Sequence, residues 1–487
     1  MRDNDKQSPQ ARFRPAMILI LAFMVSCKTQ VKDIEPPAHM PGTFSTSGET
    51  ATPAKWWSAF GDPRLDSLVD EALLRNFTLK TAWDRLDQAQ ASASASWAGF
   101  WPSLDGSANW TRSLNSMEGR DRQYGTEYTL GLAASYEIDL WGRVRATKDA
   151  AELELLATRE DLSAAAITLS AQVAGSWYQL VELRGQLALL DEQTRTNESY
   201  LEVVTLKFRS GQATATDVLQ QRQLVESTKG ERALVESGAK VLEYQLAVLL
   251  GAAPGSRDFD YAGGLPELPP LPETGVPARW MRQRPDLRAA ELRVQAADRR
   301  VAAAIADRFP RLSLTARAET SAERTRDLFD NWLAGLAANV AAPIIDGGRR
   351  RAEVRRTRAV AAQQLDSYGQ TLLTSLKEVE EALVKEDRQA QYVASLQLQL
   401  DLSRQATEQT RENYTKGGAD FTRYLTTMLS HQRLQRTHLQ ARRQLVEYRI
   451  SLYRALGGGW EMERPGKKDD GDNSGNTTGQ AQENGKS

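Results

Sequence analysis

Phe208, Gly211 and Leu219 in the segment FRSGQATATDVL recur as Tyr414, Gly417 and Leu425 in YTKGGADFTRYL, each displaced by 206 positions. That offset is far longer than a solenoid repeat and marks a duplicated, domain-sized unit. Two further pairs fall near the same offset and in the same order. Ile138-Asp139-Leu140-Trp141-Gly142-Arg143 answers Ile345-Asp346-Gly347-Gly348-Arg349, and Phe100-Trp101-Pro102-Ser103-Leu104 answers Phe309-Pro310-Arg311-Leu312. The fold must therefore be built from two copies of one supersecondary unit, facing across a pseudo-twofold axis or set side by side around a ring.

The N-terminus has the layout of an export signal. Arg2, Lys6, Arg12 and Arg14 precede the uncharged run from Pro15 to Ser26, which is too short to span a bilayer. Residues 1–26 are read as a signal peptide. The run ends in Met24-Val25-Ser26-Cys27, with small residues just before the only cysteine of the chain. A disulfide needs a second thiol, and Cys27 resembles the acylated cysteine of a bacterial lipobox, which becomes the first residue after cleavage. Apart from this covalent lipid, no cofactor or metal is expected. Lys28, where Asp would hold a lipoprotein at the inner membrane, is compatible with outer-membrane sorting.

Lysine and arginine number 62 against 63 acids, a net charge of -1, so no global basic field attracts nucleic acid. No stretch after Cys27 has the length and apolarity of a membrane helix. Further membrane contact must come from strands or from the lipid. A length of 487 residues suggests about three globular domains, yet the duplication argues for one composite body.

Residues 28–62 are rich in Pro, Thr and Ser and read as extended, so 27–62 is taken as a lipidated tether. Asp62-Pro63 opens a helical pattern of Leu65, Leu68, Val69, Ala72, Leu73, Leu79, Ala82 and Leu86 running to about Ser96. Between 103 and 140 the period falls to two. Leu104, Gly106, Ala108 and Trp110, then Tyr128, Leu130, Leu132, Ala134, Tyr136 and Ile138, alternate with polar or small neighbours. The second copy repeats this over 311–345, with Leu312, Leu314, Ala316 and Ala318, then Trp332, Ala334, Leu336, Ala338 and Val340. Four strands of about 10 to 14 residues have the length that a tilted strand needs to cross a bilayer, but four cannot close a barrel. Oligomerisation solves that problem.

Each hairpin leads into a very long helical segment, from about Arg143 to Phe208 and from about Arg349 to Tyr414. Leu162, Leu169, Val173, Trp177, Leu180, Leu187 and Leu190 recur at coiled-coil-like spacings in the first, and Leu365, Leu372, Leu376, Val379 and Leu383 in the second. Some 66 helical residues at about 1.5 Å each reach roughly 100 Å, so the return path must be stacked from shorter helices. Residues 214–250 and 278–308 supply it in the first copy. In the second, 420–456 leads back halfway and the N-terminal helix 63–98 supplies the rest. Gly211 and Gly417 mark the reversals, where a glycine turns the chain without a Cβ clash. The first repeat thus spans 63–264, the second 265–460, and 461–487 is a polar tail expected to be disordered.

These residues resemble the TolC-like outer membrane factors, particularly the lipoprotein branch of tripartite efflux systems. The resemblance is carried by Cys27, Asp139-Leu140-Trp141-Gly142-Arg143, the Phe208 to Leu219 turn, Arg284-Pro285-Asp286-Leu287-Arg288-Ala289-Ala290-Glu291, Pro343-Ile344-Ile345-Asp346-Gly347-Gly348-Arg349 and the Tyr414 turn, covering nearly all of 27–456. It implies a mainly α chain with a membrane β-barrel part, forming a homotrimer with a twelve-stranded outer-membrane barrel and an α-helical periplasmic tunnel. The tunnel would dock to a periplasmic adaptor protein and an inner-membrane pump and would pass small solutes without chemistry of its own. Asp139, Gly142 and Arg143, with Asp346, Gly348 and Arg349, mark the strand-to-helix junctions. By the same resemblance Phe208, Gly211, Asp217, Tyr414 and Gly417 fall at the periplasmic gate and adaptor-facing turns.

Arg423 stands where relatives often have Asp. If it faces Asp217 of a neighbour, the latch is an ion pair worth about 0.2–1 kcal/mol when exposed; if it faces the lumen, it disfavours cations; both charges could also be solvated surface. Two other functions stay open at this stage, a lipid-anchored periplasmic scaffold or adaptor without a pore and the exit duct of a type I protein secretion system. Catalysis has little to stand on. His431 and His438 lie seven apart with no evident third metal ligand, His39 is in the tether, and there is no phosphate loop, nucleophile elbow or zinc spacing. The arginines at 349–351 and 355–356 suit either a phosphate patch or a solvated face near lipid headgroups.

Overall fold

The computed structural model describes residues 40–457, apart from 52, 117, 119–121 and 260–262, together with Arg464. Cys27, the signal segment and most of the polar tail lie outside the described residues. Helices α1 (Pro63–Arg75) and α2 (Phe77–Ala98) lead into β1 (Ser103–Asn115) and β2 (Gln123–Ile138). Then come α3 (Arg143–Arg209), α4 (Ala215–Leu249), α5 (Pro285–Ala306), β3 (Arg311–Ala322), β4 (Trp332–Ala341), α6 (Arg349–Thr415) and α7 (Phe421–Leu456). The two long helices have 67 residues each, about 100 Å at 1.5 Å per residue.

The four strands form one antiparallel sheet in the order β1-β2-β3-β4. Its register keeps the apolar alternation on one face throughout. Trp110 opposes Tyr128, Leu104 opposes Ala134, Ala134 opposes Ala316, Leu132 opposes Ala318, and Leu314 opposes Ala338. The other face pairs Asn109 with Thr129, Gly131 with Glu319, and Ser313 with Asn339. Because side chains alternate with period two, a one-residue slip in any pair would mix the faces. The apolar face is bare, with Trp110 64%, Trp332 74% and Leu336 80% exposed. No helix among the described residues is long and apolar enough to cross a membrane.

Below the sheet, α3 packs against α2 and α5, and α5 against α6; further along, α3 packs against α4 and α7, and α7 against α6. The return path is stacked as expected, but the halves are exchanged. The end of α4 meets the start of α2, where Asn76 Nδ2 donates to the Leu249 carbonyl at 2.9 Å. The end of α7 meets the start of α5, where Trp280 Nε1 and Arg284 Nη1 both donate to the Ala455 carbonyl, at 3.2 and 2.9 Å. Sequence order misleads here because the chain between α4 and α5 is long enough to leave one stack and join the other. The helix read over 63–98 is also two helices. Asn76 adopts ψ 127, and its side chain caps α2 by accepting the Leu79 N–H at 3.0 Å.

The tether is shorter than its composition suggests. Trp56, Trp57 and Phe60 form a 3-10 turn buried in the core, with Trp56 stacked on Tyr453 at 5.6 Å and donating to Ser170 Oγ at 3.2 Å. Phe44 sits edge-on to Trp280 at 5.5 Å, and Gly48 N–H donates to the Pro272 carbonyl at 3.1 Å. Four aromatic rings outweigh the Pro, Thr and Ser around them, because each buries a large apolar area. The segment between the repeats is pinned too. Arg449, 3% exposed, makes a two-pronged pair with Glu386 at 2.8 and 2.5 Å and donates to the carbonyls of Pro269 and Pro270. Glu386→Ala leaves that guanidinium buried and half-satisfied, and should cost about 3–5 kcal/mol in denaturant unfolding of the detergent-solubilised protein. Removing the exposed Lys377–Glu381 pair should cost less than about 1 kcal/mol.

Candidate functional site

At the far end from the sheet, both long helices stop in the same way. Gly211 has φ 75 and Gly417 φ 81. Gly211 N–H donates to the Phe208 carbonyl at 3.0 Å and Gln212 N–H to the Lys207 carbonyl at 2.8 Å. Gly417 and Gly418 make the same pair of bonds to Tyr414 and Asn413, at 3.2 and 2.8 Å. These are Schellman closures, which need a left-handed residue that only glycine adopts without strain.

The return helices then start with a charge rearrangement between the copies. Thr214 caps α4 and shares a capping box with Asp217, whose carboxylate accepts the Thr214 N–H at 2.8 Å while its own N–H donates to Thr214 Oγ1 at 3.2 Å. In the second copy the acid has moved to the cap itself. Asp420 accepts the Arg423 N–H at 2.7 Å, which leaves the third helical position free to be Arg423. Its side chain is exposed, and its guanidinium has no partner among the described residues. Asp217 and Arg423 do not meet within the chain.

Tyr414, by contrast, is packed into a small aromatic core at the turns, with Val204, Phe421, Tyr424 and Met428. Its ring lies parallel to that of Tyr424 at 6.0 Å, and Tyr200 closes on Tyr424 at 4.7 Å. Lys207 Nζ stands 3.9 Å from the Tyr414 ring centroid and donates to its carbonyl at 3.1 Å, so a cation–π contact ties the end of α3 to the end of α6. Burial, reinforced by the Asp217 charge, pushes the Tyr414 hydroxyl up, and that oxygen has no hydrogen-bond partner among the described residues. Phe208, next to the first turn, is 46% exposed. Tyr200, Lys207 and Asp420 were not singled out by sequence reasoning. Of the three, only Asp420 left a legible signal, an acid three residues before Arg423.

At the opposite ends, the Asp residues of the junction motifs cap the long helices. Asp139 accepts the backbone N–H groups of Val144 and Arg145 at 2.9 and 2.8 Å. Asp346 accepts those of Gly348 and Arg350 at 3.0 and 3.2 Å, which hold its carboxyl below the usual range. Gly142 and Gly348, with φ 75 and 85, precede the first helical residue. Arg143 forks onto Glu137 at 3.0 and 2.7 Å, tying α3 to the last turn of β2. Arg349 makes no such pair among the described residues; Arg350 takes that part, reaching Asp307 at 3.0 Å.

His431 and His438 lie on α7, and no group of three metal-binding side chains occurs among the described residues. His431 Nδ1 is 2.9 Å from Ser403 Oγ on α6.

A helix-rich chain carrying a small, bare-faced antiparallel sheet, folded twice over, is the architecture of an outer-membrane channel. The outer membrane efflux protein family matches residues 68–252 and 276–458, and the chain belongs to that family. It is 33% identical over 427 residues to the pyoverdine export outer membrane protein OpmQ of Pseudomonas aeruginosa, covering 85% of this chain and 89% of that one. It is 28% identical over 458 residues to the probable outer membrane lipoprotein SilC of Salmonella typhimurium, covering 91% and 97%. The outer-membrane channel OprN superimposes with a TM-score of 0.82 at 26% identity, covering 88% of this chain and 99% of that one.

Burial, with the Arg404 charge, holds the His431 imidazole below its usual pKa, so folding favours the neutral ring. That preference contributes no pH dependence while both states are neutral. As pH falls below about 6.5 the unfolded chain takes up the proton first, and stability is lost until the folded ring also titrates. Denaturation of the wild type between about pH 7.5 and 5 should show this loss, and His431→Gln should flatten part of it.

Proposed function

We propose that three copies of the chain close one channel, the outer-membrane exit duct of a tripartite efflux system. The observation that carries this is the sheet. Strands β1 and β4 are its edges, and each offers an unpaired row of backbone groups beside a continuous apolar face. In hydrocarbon such an edge has to be paired, four strands are too few to close on themselves, and three sets give an even-numbered barrel of ordinary size. The apolar face then meets lipid, and the face bearing Asn109, Glu319 and Asn339 lines the lumen.

The long helices continue the duct into the periplasm, with the Gly211 and Gly417 turns as the tip that an adaptor protein grips and the inner-membrane pump feeds. Tyr414 anchors the tip. Arg423 is free to cross to a carboxylate of the neighbouring protomer and hold the aperture shut. The protein conducts passively and catalyses nothing, and a lipid on Cys27 assists its attachment. Relatives are named for pyoverdine, for cations and for toluene, as expected if the pump selects and the duct only conducts.

Light scattering of the detergent-solubilised protein, corrected for bound detergent, should return the mass of a trimer; a folded, monodisperse monomer overturns the reading. In planar bilayers Arg423→Gln should raise the single-channel conductance, because it removes a pairing charge at the aperture. An unchanged conductance would mean that Arg423 holds no latch.

A further inference from the structure

We propose that Arg351, Arg355 and Arg358 on α6 form a binding site for anionic phospholipid headgroups of the leaflet that faces the periplasm, and that Arg145 on α3, with α5 between, extends the same basic band. The site goes beyond the channel reading, and it rests on the apolar face of the sheet lying in the outer membrane.

The four arginines are exposed, and their side chains have no ion-pair or hydrogen-bond partner among the described residues. That separates them from Arg350 and Arg356, although the side chain of the exposed Arg349 has no ion-pair or hydrogen-bond partner among the described residues either. Arg350 is held by Asp307 and Asp346, and Arg356 by Glu353. Positions 351, 355 and 358 follow the i, i+4, i+7 spacing that puts side chains on one helix stripe. Arg351 lies in the first turn of α6, where the positive end of the helix dipole disfavours cations. Charge kept there without a partner among the described residues calls for an anion outside them. Arg145 holds the matching place in the first copy, 206 positions upstream of Arg351.

The side of the channel follows from the cavities. A cleft of about 680 Å³ is lined at once by Ser96 of α2, Arg143 and Thr147 of α3, Arg300 of α5, and Glu353 and Arg356 of α6. In a row of four helices, only the concave side brings the first and last to one cavity. Residues 351, 355 and 358 fall roughly half a turn away from 353 and 356, so they lie on the convex, outward side. On α3, Leu155, Arg159 and Ser163 line one cavity with Pro53, Ala54, Thr274 and Arg279, and Arg145 shares their side by the same periodicity.

Height follows from the chain. Helix α6 begins eight residues after β4 ends, and the stripe from 351 to 358 spans about 10 Å along the axis. The headgroup layer of one leaflet is roughly 5–8 Å thick, and arginine side chains reach upward from just beneath it. Aromatic side chains mark the same level. Trp101 is 73% exposed beside the start of β1, and Trp141 stacks on Phe309 at 4.9 Å between the end of β2 and the start of β3. Exposed rings at the end of membrane strands mark the interface. The basic stripe lies immediately beneath it.

The test compares phosphatidylglycerol with phosphatidylcholine retained by the full-length lipidated protein, read by native mass spectrometry. Wild type should retain phosphatidylglycerol preferentially, and added salt should weaken the preference. Arg355→Gln should lower it about fivefold, and the triple change R351Q/R355Q/R358Q by more than about tenfold. Each variant is first checked for wild-type assembly mass and conductance. Absence of trimer mass and conductance in the wild type would indict the channel reading, whereas loss of lipid preference alone in a variant belongs to the arginines. If the triple variant does not assemble, the single variants decide by their graded loss. Equal retention of the two lipids by wild type, or an unchanged preference in the variants, overturns the proposal. Displacement of phosphatidylglycerol by an equal concentration of inorganic phosphate would assign the stripe to soluble phosphate and overturn it as well.

Discussion

A strand edge in hydrocarbon has no water to bond, and this constraint shapes the rest of the protein. The sheet is bare on one face and open along β1 and β4, so it is unfinished as a single chain. Its register puts Trp110, Leu132, Leu314 and Ala338 on one side and Asn109, Glu319 and Asn339 on the other. A surface so divided suits a wall between lipid and water. In the assembly we propose, the row of helices below must curve with the strands, and the channel diameter follows from strand number.

The transfer from strand to helix is made by charge and backbone. Asp139 and Asp346 accept the first free N–H groups of α3 and α6, while Arg143 returns to Glu137 and Arg350 to Asp307. Each junction thereby fixes the direction of a helix of 67 residues, where a small angular error at the top would become a large displacement at the tip. The two copies reach this end by different residues, as they do at the turns, where Thr214 with Asp217 is replaced by Asp420 with Arg423. What persists is the satisfied helix terminus; the charge beside it is free to change.

Between the two ends, polar groups are buried in the helix row. Asn197, fully buried on α3, donates to Thr228 Oγ1 on α4 at 3.1 Å and accepts from Gln432 on α7 at 3.0 Å, and Gln221 reaches its carbonyl at 2.8 Å. Long helices with repeating Leu and Val can slide by a turn at little cost, whereas the bonds of such a network form in one register alone. Together with the aromatic cluster of Tyr200, Tyr414, Phe421 and Tyr424, it makes the lower half of the protomer a defined unit for the tip to work against.

The sequence by itself determined the duplication, the strands, the two long helices and the glycine reversals, because each is written in local periodicity or in a residue with special backbone freedom. Leu104 to Ile138 alternate visibly, and Gly211 and Gly417 repeat at a fixed offset. It did not reveal that α4 stacks on α2 and α7 on α5, that Trp56, Trp57 and Phe60 turn a supposed tether into core, or that Asp217 is engaged by its own helix cap while Tyr414 is buried among aromatic rings. Only the tertiary structure decided these, and likewise which arginines stay unpaired, since each depends on which distant side chains arrive at the same place. Local periodicity records how a segment buries one of its faces. It carries no record of the partner from another segment that covers that face.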